Sequence, residues 1–166
     1  MLNAVRRLLQ ILLVLNWVAL AGIIAFAIML VALPEQMNAE FAEDFGDNGN
    51  AVRQAMVAMI VVGSFAVLPI HVVFARLIAM IDTVRAGKPF LSTNVGRLRH
   101  IAWAMLALQI IDIGFGWSAW QLGEASGELI GWQFSVTGWL AVLLLFVLAR
   151  VFQQGAAMQD ELEATA

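Results

Sequence analysis

Long apolar runs alternate with short polar segments along this chain, and the length of those runs sets the fold class. A helix rising 1.5 Å per residue needs about 20 mainly apolar residues to cross a hydrocarbon core of roughly 30 Å. Four segments meet that requirement. The first, 8–33, carries no charge, and the second, about 54–81, has Pro69, His71 and Arg76 in its later half. The third, about 101–122, holds Asp112 near its middle, and the fourth, about 129–149, has no ionisable side chain. The prediction is an all-α integral membrane four-helix bundle, a single domain over 1–166, with an outer loop at 34–53 and a cytoplasmic tail at 150–166.

Composition agrees, with 62% hydrophobic and 13% charged residues against about 25% charged in a soluble domain. The opening MLNAVRR and its apolar sequel resemble a secretion signal, but the run continues through Ile28, Met29, Leu30 and Val31. A signal core has about 7–15 apolar residues, so this segment reads as a retained span. Basic residues near span ends stay in the cytoplasm. Arg6, Arg7, Arg85, Lys88, Arg97, Arg99 and Arg150 all fall on one side of the four-span layout. The other side holds Glu35, Glu40, Glu43, Asp44, Asp47, Glu124 and Glu128 against one base, Arg53. Both termini are therefore predicted to be cytoplasmic, in a multi-pass membrane protein. Trp117, Trp120 and Trp132 at the outer boundary and Trp103 at the inner one fit as interfacial anchors.

Within the outer loop, Met37, Phe41 and Phe45 recur every four residues among acidic ones, which predicts a short amphipathic helix. The following DFGDNGN lacks the ligand spacing and closing Glu of a calcium loop and reads as a turn. On the inner side, Gly87 and Pro89 stop the second helix, and Ser92 or Thr93 is placed to cap the third. Arg85, Lys88, Arg97 and Arg99 form a basic patch that either enforces topology or docks anionic headgroups or an acidic partner. The tail VFQQGAAMQDELEATA ends acidic, either as a frayed extension or as a handle for a partner.

The interior polar residues need explaining, because an Asp at mid-bilayer costs about 2.5–3.5 kcal/mol on the insertion scale. Asp112 should face neighbouring helices and either find a partner or carry a proton. At 1.5 Å per residue His71 lies about 16 Å, and Asp112 about 18 Å, above the inner boundary near Asp82 and His100. Asn16 lies about 12 Å above the start of its span by the same rise. An interior cluster of Asn16, His71, Gln109 and Asp112 follows as a candidate site. It would either relay protons or bind a polar ligand, or hold the helices together. Gly127, Gly131, Ser135 and Gly138 recur along one predicted side of the fourth helix, where backbones can pack closely within the chain or against another protein, a second copy included. Gly114 and Gly116 are placed to loosen the third helix.

With two His and no Cys, a zinc or iron centre lacks ligands, so no metal or other cofactor is expected. No serine sits in a hydrolase elbow, and there is no recognition helix for nucleic acid. The inner connection AGKPFLSTNVGRLRHIAW and the closing ARVFQQGAAMQDELEATA resemble the small bacterial membrane proteins grouped as domain of unknown function 2975. The likeness rests on Gly87, Pro89, Phe90, Asn94 and Leu98, and on Phe152, Gly155, Glu161 and Glu163. Ala164, Thr165 and Ala166 depart from the family's usual ending. The resemblance implies no enzymatic activity, and by association alone it implies a helix-turn-helix regulator as protein partner. The expectation is thus a non-enzymatic membrane protein that contacts lipids and binds a partner. The alternative is a small transporter or channel component using the buried His and Asp.

Overall fold

The uninterrupted apolar opening forms one long helix, α1 (Leu2–Ala32). There follow α2 (Pro34–Phe45), a 3-10 turn (Gly46–Asn48), α3 (Gly49–Ser64), α4 (Val67–Arg85), α5 (Ser92–Ser126) and α6 (Val136–Thr165). This computed structural model describes residues 2–32, 34–87 and 91–165. Lys88, Pro89 and Phe90, and the side chain of Met37, lie outside the described residues. Regular structure among the described residues is entirely helical.

Among the described residues, four helical stretches are long and apolar enough to cross a membrane: Leu2–Ala32, Ala39–Arg85, Ser92–Ser126 and Val136–Met158. Their side chains are arranged inside out relative to a soluble protein. On α1, Leu8, Ile11, Val14, Val18, Ile28 and Val31 are all more than half exposed. In water that surface would drive aggregation; in lipid it is already solvated. The buried positions are instead rich in small residues, among them Ala55, Ala102, Ala104, Ala119, Ala149 and Ala156. Without a hydrophobic drive between helices, close packing of small side chains is what holds spans together.

The second span is interrupted, which the sequence reading did not anticipate. After Ser64 the chain turns through Phe65 and Ala66, whose N–H groups donate to Val62 O at 3.2 Å and Gly63 O at 3.1 Å. Pro69 explains the break. It has no N–H to donate to the Phe65 carbonyl four residues back, and its ring crowds that oxygen. Upstream, the amphipathic helix expected in the outer loop is present as α2, with the Phe41 and Phe45 rings stacked 6.1 Å apart. DFGDNGN forms the 3-10 turn and its flanks, and Gly46 takes φ +56°. Gly49 lets α3 start against α2, since a Cβ there would lie 2.6 Å from the Phe41 carbonyl oxygen.

The fourth span starts later than expected, at Val136 instead of about 129, and this corrects the proposed small-residue stripe. Gly127 ends α5 with φ +73°, a backbone conformation that favours glycine, and residues 127–135 are non-helical. Gly127, Gly131 and Ser135 therefore share no helical face. Ser135 instead caps α6, its Oγ accepting from the Gly138 N–H at 3.1 Å. Gly114 and Gly116 do not loosen the third helix, as α5 runs unbroken through both. They accept close neighbours: a Cβ on Gly114 would lie 3.3 Å from Val62 Cγ1, and one on Gly116 would lie 2.7 Å from Trp132 Nε1. The tail is helical as far as Thr165, with Ala156 buried.

The chain divides into two compact units, residues 1–16, 68–109 and 135–166 in the first and residues 17–67 and 110–134 in the second.

Candidate functional site

The best-defined polar arrangement lies at the connection between α4 and α5, in the first unit. Gly87 takes φ +74°, its N–H donating to Val84 O at 3.0 Å, and so closes α4. Helix α5 opens with Ser92 and Thr93 in its first turn instead of at the cap, and the Asn94 N–H donates to Leu91 O at 2.8 Å. That start places Asn94 against α4, with 0% of its surface exposed. Its Nδ2 donates to Thr83 Oγ1 at 2.7 Å, and the Thr83 hydroxyl in turn donates a hydrogen bond to Met80 O at 2.7 Å. From the other side Arg97 Nη1 donates to Asn94 Oδ1 at 2.9 Å and lies 2.9 Å from the Ala79 carbonyl.

Every polar atom of this buried amide thus meets a partner of opposite character. A buried donor or acceptor left unsatisfied costs about 1–3 kcal/mol, so the network ties the end of α4 to the start of α5. Leu98, one turn after Asn94, is buried beside it in α5. At the exposed rim Arg6 Nε approaches Asp82 at 2.8 Å and Arg85 Nη1 approaches the same carboxylate at 3.7 Å. Pairs this exposed contribute about 0–1 kcal/mol.

These positions revise the expected basic patch. Arg85 and Arg99 are exposed, Arg97 is turned inward as a structural donor, and Lys88 lies outside the described residues. Charge alone had grouped them; the usable signal was a polar Asn at the start of a helix, one turn before the apolar Leu98. Of the cluster expected in the membrane interior, Asn16, His71 and Gln109 fall in the first unit and Asp112 in the second. Asn16 and His71 are half-buried, and each has an interaction partner. Gln109 is buried against α6, where a Cβ on Gly138 would lie 2.6 Å from its Cδ. Gly138 is therefore the one residue of the proposed stripe that serves as a helical packing position. The Gln109 Oε1 atom is buried without a donor. Asp112 is half-buried and forms no ion pair among the described residues.

In the second unit sequence reasoning missed Arg53, noted only as the exception to the charge rule. Its Nη1 donates to the Leu30 carbonyl at 3.3 Å, satisfying an orphan acceptor near the end of α1, while its Nε is buried without an acceptor. Trp117 and Trp120 lie with ring centroids 5.1 Å apart, lining with Ile130 and Trp132 a cleft of about 450 Å³. No group of three or more His, Asp or Glu side chains is placed to hold a metal ion among the described residues.

No curated protein matches the chain, and no solved structure does. A family model described as "Protein of unknown function (DUF2975)" matches residues 40–166, a stretch that includes the whole Thr83, Asn94 and Arg97 network. With most of its length, including that network, inside the match, the chain belongs to the DUF2975 family.

Proposed function

We propose that this is a multi-pass protein of the bacterial inner membrane, with both termini cytoplasmic, that works by binding a protein partner at its inner face and catalyses no reaction. The observation that carries this reading is the two-faced end of α6. Ala149 and Ala156, seven residues apart, are buried, whereas Val151 and Met158, also seven apart, are 55% and 66% exposed. Gln154 lies exposed between the latter two. Seven residues are two helical turns, so one face is packed and the other presents apolar and amide groups beyond Arg150. A helix offering anchors at i, i+3 and i+7 is a common recognition surface. The satisfied network at Asn94 supports the same reading, because a docking face needs a fixed frame. A small helix-turn-helix regulator is the partner class that the family association implies.

A photoreactive amino acid at Gln154 or Met158 in intact membranes tests this. One stoichiometric protein adduct is expected, lost in Val151→Glu. Adducts to lipid alone from both positions would refute the proposal.

A second reading, a small transporter component, is favoured by the interrupted second span and by the unpartnered Gln109 oxygen. Transport sites are often built where spanning helices are broken. Solute or proton flux in proteoliposomes that Gln109→Leu abolishes would support it; absence of flux at every pH between acidic and neutral would remove it.

A further inference from the structure

Within the second unit, two grooves join along α1 and α3. One, of about 460 Å³, is lined by Val31, Arg53, Gln54, Val57, Ala58 and Val61. The other, of about 400 Å³, shares Val31 and Val61 with it and continues past Ile28, Ile60 and Ser64. Together they run from Arg53 to Ser64, eleven residues or about 16 Å of helix. That is about half of a hydrocarbon core of roughly 30 Å, the depth of one leaflet. The groove is polar at the Arg53 and Gln54 end and apolar beyond it.

Arg53 is the sole Lys or Arg between Arg7 and Arg76. Among the described residues no carboxylate pairs with it. Among the described residues its one hydrogen bond, to Leu30 O, uses a single N–H, and its buried Nε has no acceptor. The half-buried Arg53 guanidinium has Nη donors to spare beyond the Leu30 bond, and a phosphate supplies several acceptors at the right geometry. The neighbouring α2 is acidic, with Glu40, Glu43 and Asp44 exposed, and repels small soluble anions. An occupant must therefore gain from the apolar groove as well as from the charge.

We propose that this groove is a binding site for one acidic phospholipid, its phosphate held by Arg53 and Gln54 and an acyl chain laid along Val57, Val61 and Val31. The experiment is native mass spectrometry of the full chain released from nanodiscs of equal phosphatidylglycerol and phosphatidylcholine. Thermal unfolding is followed in parallel with added phosphatidylglycerol, glycerol phosphate or inorganic phosphate. Wild type is expected to retain one phosphatidylglycerol preferentially and to be stabilised by that lipid alone. Arg53→Gln should lower retention about tenfold, the weight of a charge-assisted hydrogen bond. Val61→Trp, at a side chain 46% exposed, fills the groove without touching Arg53 and should lower it similarly. Arg99→Gln should leave it unchanged. If Arg53→Gln fails to fold, Val61→Trp decides. Equal retention of the two lipids by wild type, or undiminished retention in Val61→Trp, overturns the site. Equal stabilisation by glycerol phosphate or inorganic phosphate overturns the lipid as its occupant.

Discussion

Replacing Asn94 by Ala removes the side chain that joins α4 to α5, and the structure sets the size of the effect. At least two hydrogen bonds are lost: the neutral one to Thr83 Oγ1 at 2.7 Å and the charge-assisted one from Arg97 at 2.9 Å. The first contributes about 0.5–1.5 kcal/mol and the second about 1.5–3 kcal/mol. Arg97 keeps the Ala79 carbonyl and Thr83 keeps the Met80 carbonyl, so neither is stranded completely. A loss of about 2–4 kcal/mol follows. Asn94→Asp retains the acceptor for Arg97 and gives up only the donor to Thr83, so it should cost less than Asn94→Ala. Thr83→Val removes the partner of the same donor, and the double variant Thr83→Val with Asn94→Ala should fall short of the sum by more than about 0.5 kcal/mol. Unfolding in mixed detergent and sodium dodecyl sulfate, followed by helical circular dichroism, measures all four. A change below about 0.5 kcal/mol for Asn94→Ala, or strict additivity with Thr83→Val, would refute the argument.

Gly138→Ala places a methyl group where the Gln109 side chain now lies, 2.6 Å from its Cδ. Overpacking of this kind costs about 1–3 kcal/mol, and Gln109→Ala in the same chain should recover most of it in the unfolding assay. Pro69→Ala restores the N–H that can reach the Phe65 carbonyl. Amide exchange across 65–69 should then slow toward that of an unbroken helix; unchanged exchange would show that something other than the proline makes the turn. Arg6→Gln breaks the pair with Asp82, whose side chain is 45% exposed, and should change stability by less than about 1 kcal/mol, with the loss shrinking further in high salt.

Four helical stretches long and apolar enough to cross a membrane were legible because length and hydropathy are local properties, independent of tertiary contacts. Lipid cannot satisfy backbone groups, so an apolar run of sufficient length must be helical wherever it packs. The same local logic made α2 readable from Phe41 and Phe45, and the end of α4 from Gly87. Pro69 was visible, but its apolar surroundings hid the break: hydropathy sums over side chains, whereas the turn at Phe65 and Ala66 arises from one missing amide proton. Leu129, Ile130 and Trp132 misled in the same way. Their hydrophobicity suggested helix, while Gly127 at φ +73° and the capping Ser135 fix a non-helical crossing.

Sequence by itself determined that this is an all-helical chain with four stretches able to cross a membrane, and it marked the residues that such an environment penalises. Which way those residues turn was decided only in three dimensions. Arg97 and Arg99 are two positions apart in one helix, yet one is a half-buried donor to Asn94 and the other is exposed. Gln109 meets Gly138, and Arg53 meets Leu30, across gaps in sequence that no periodicity spans. The physical reason is that burial from water is a property of each residue, whereas satisfying a hydrogen bond requires a second atom, and the fold alone says where that atom is.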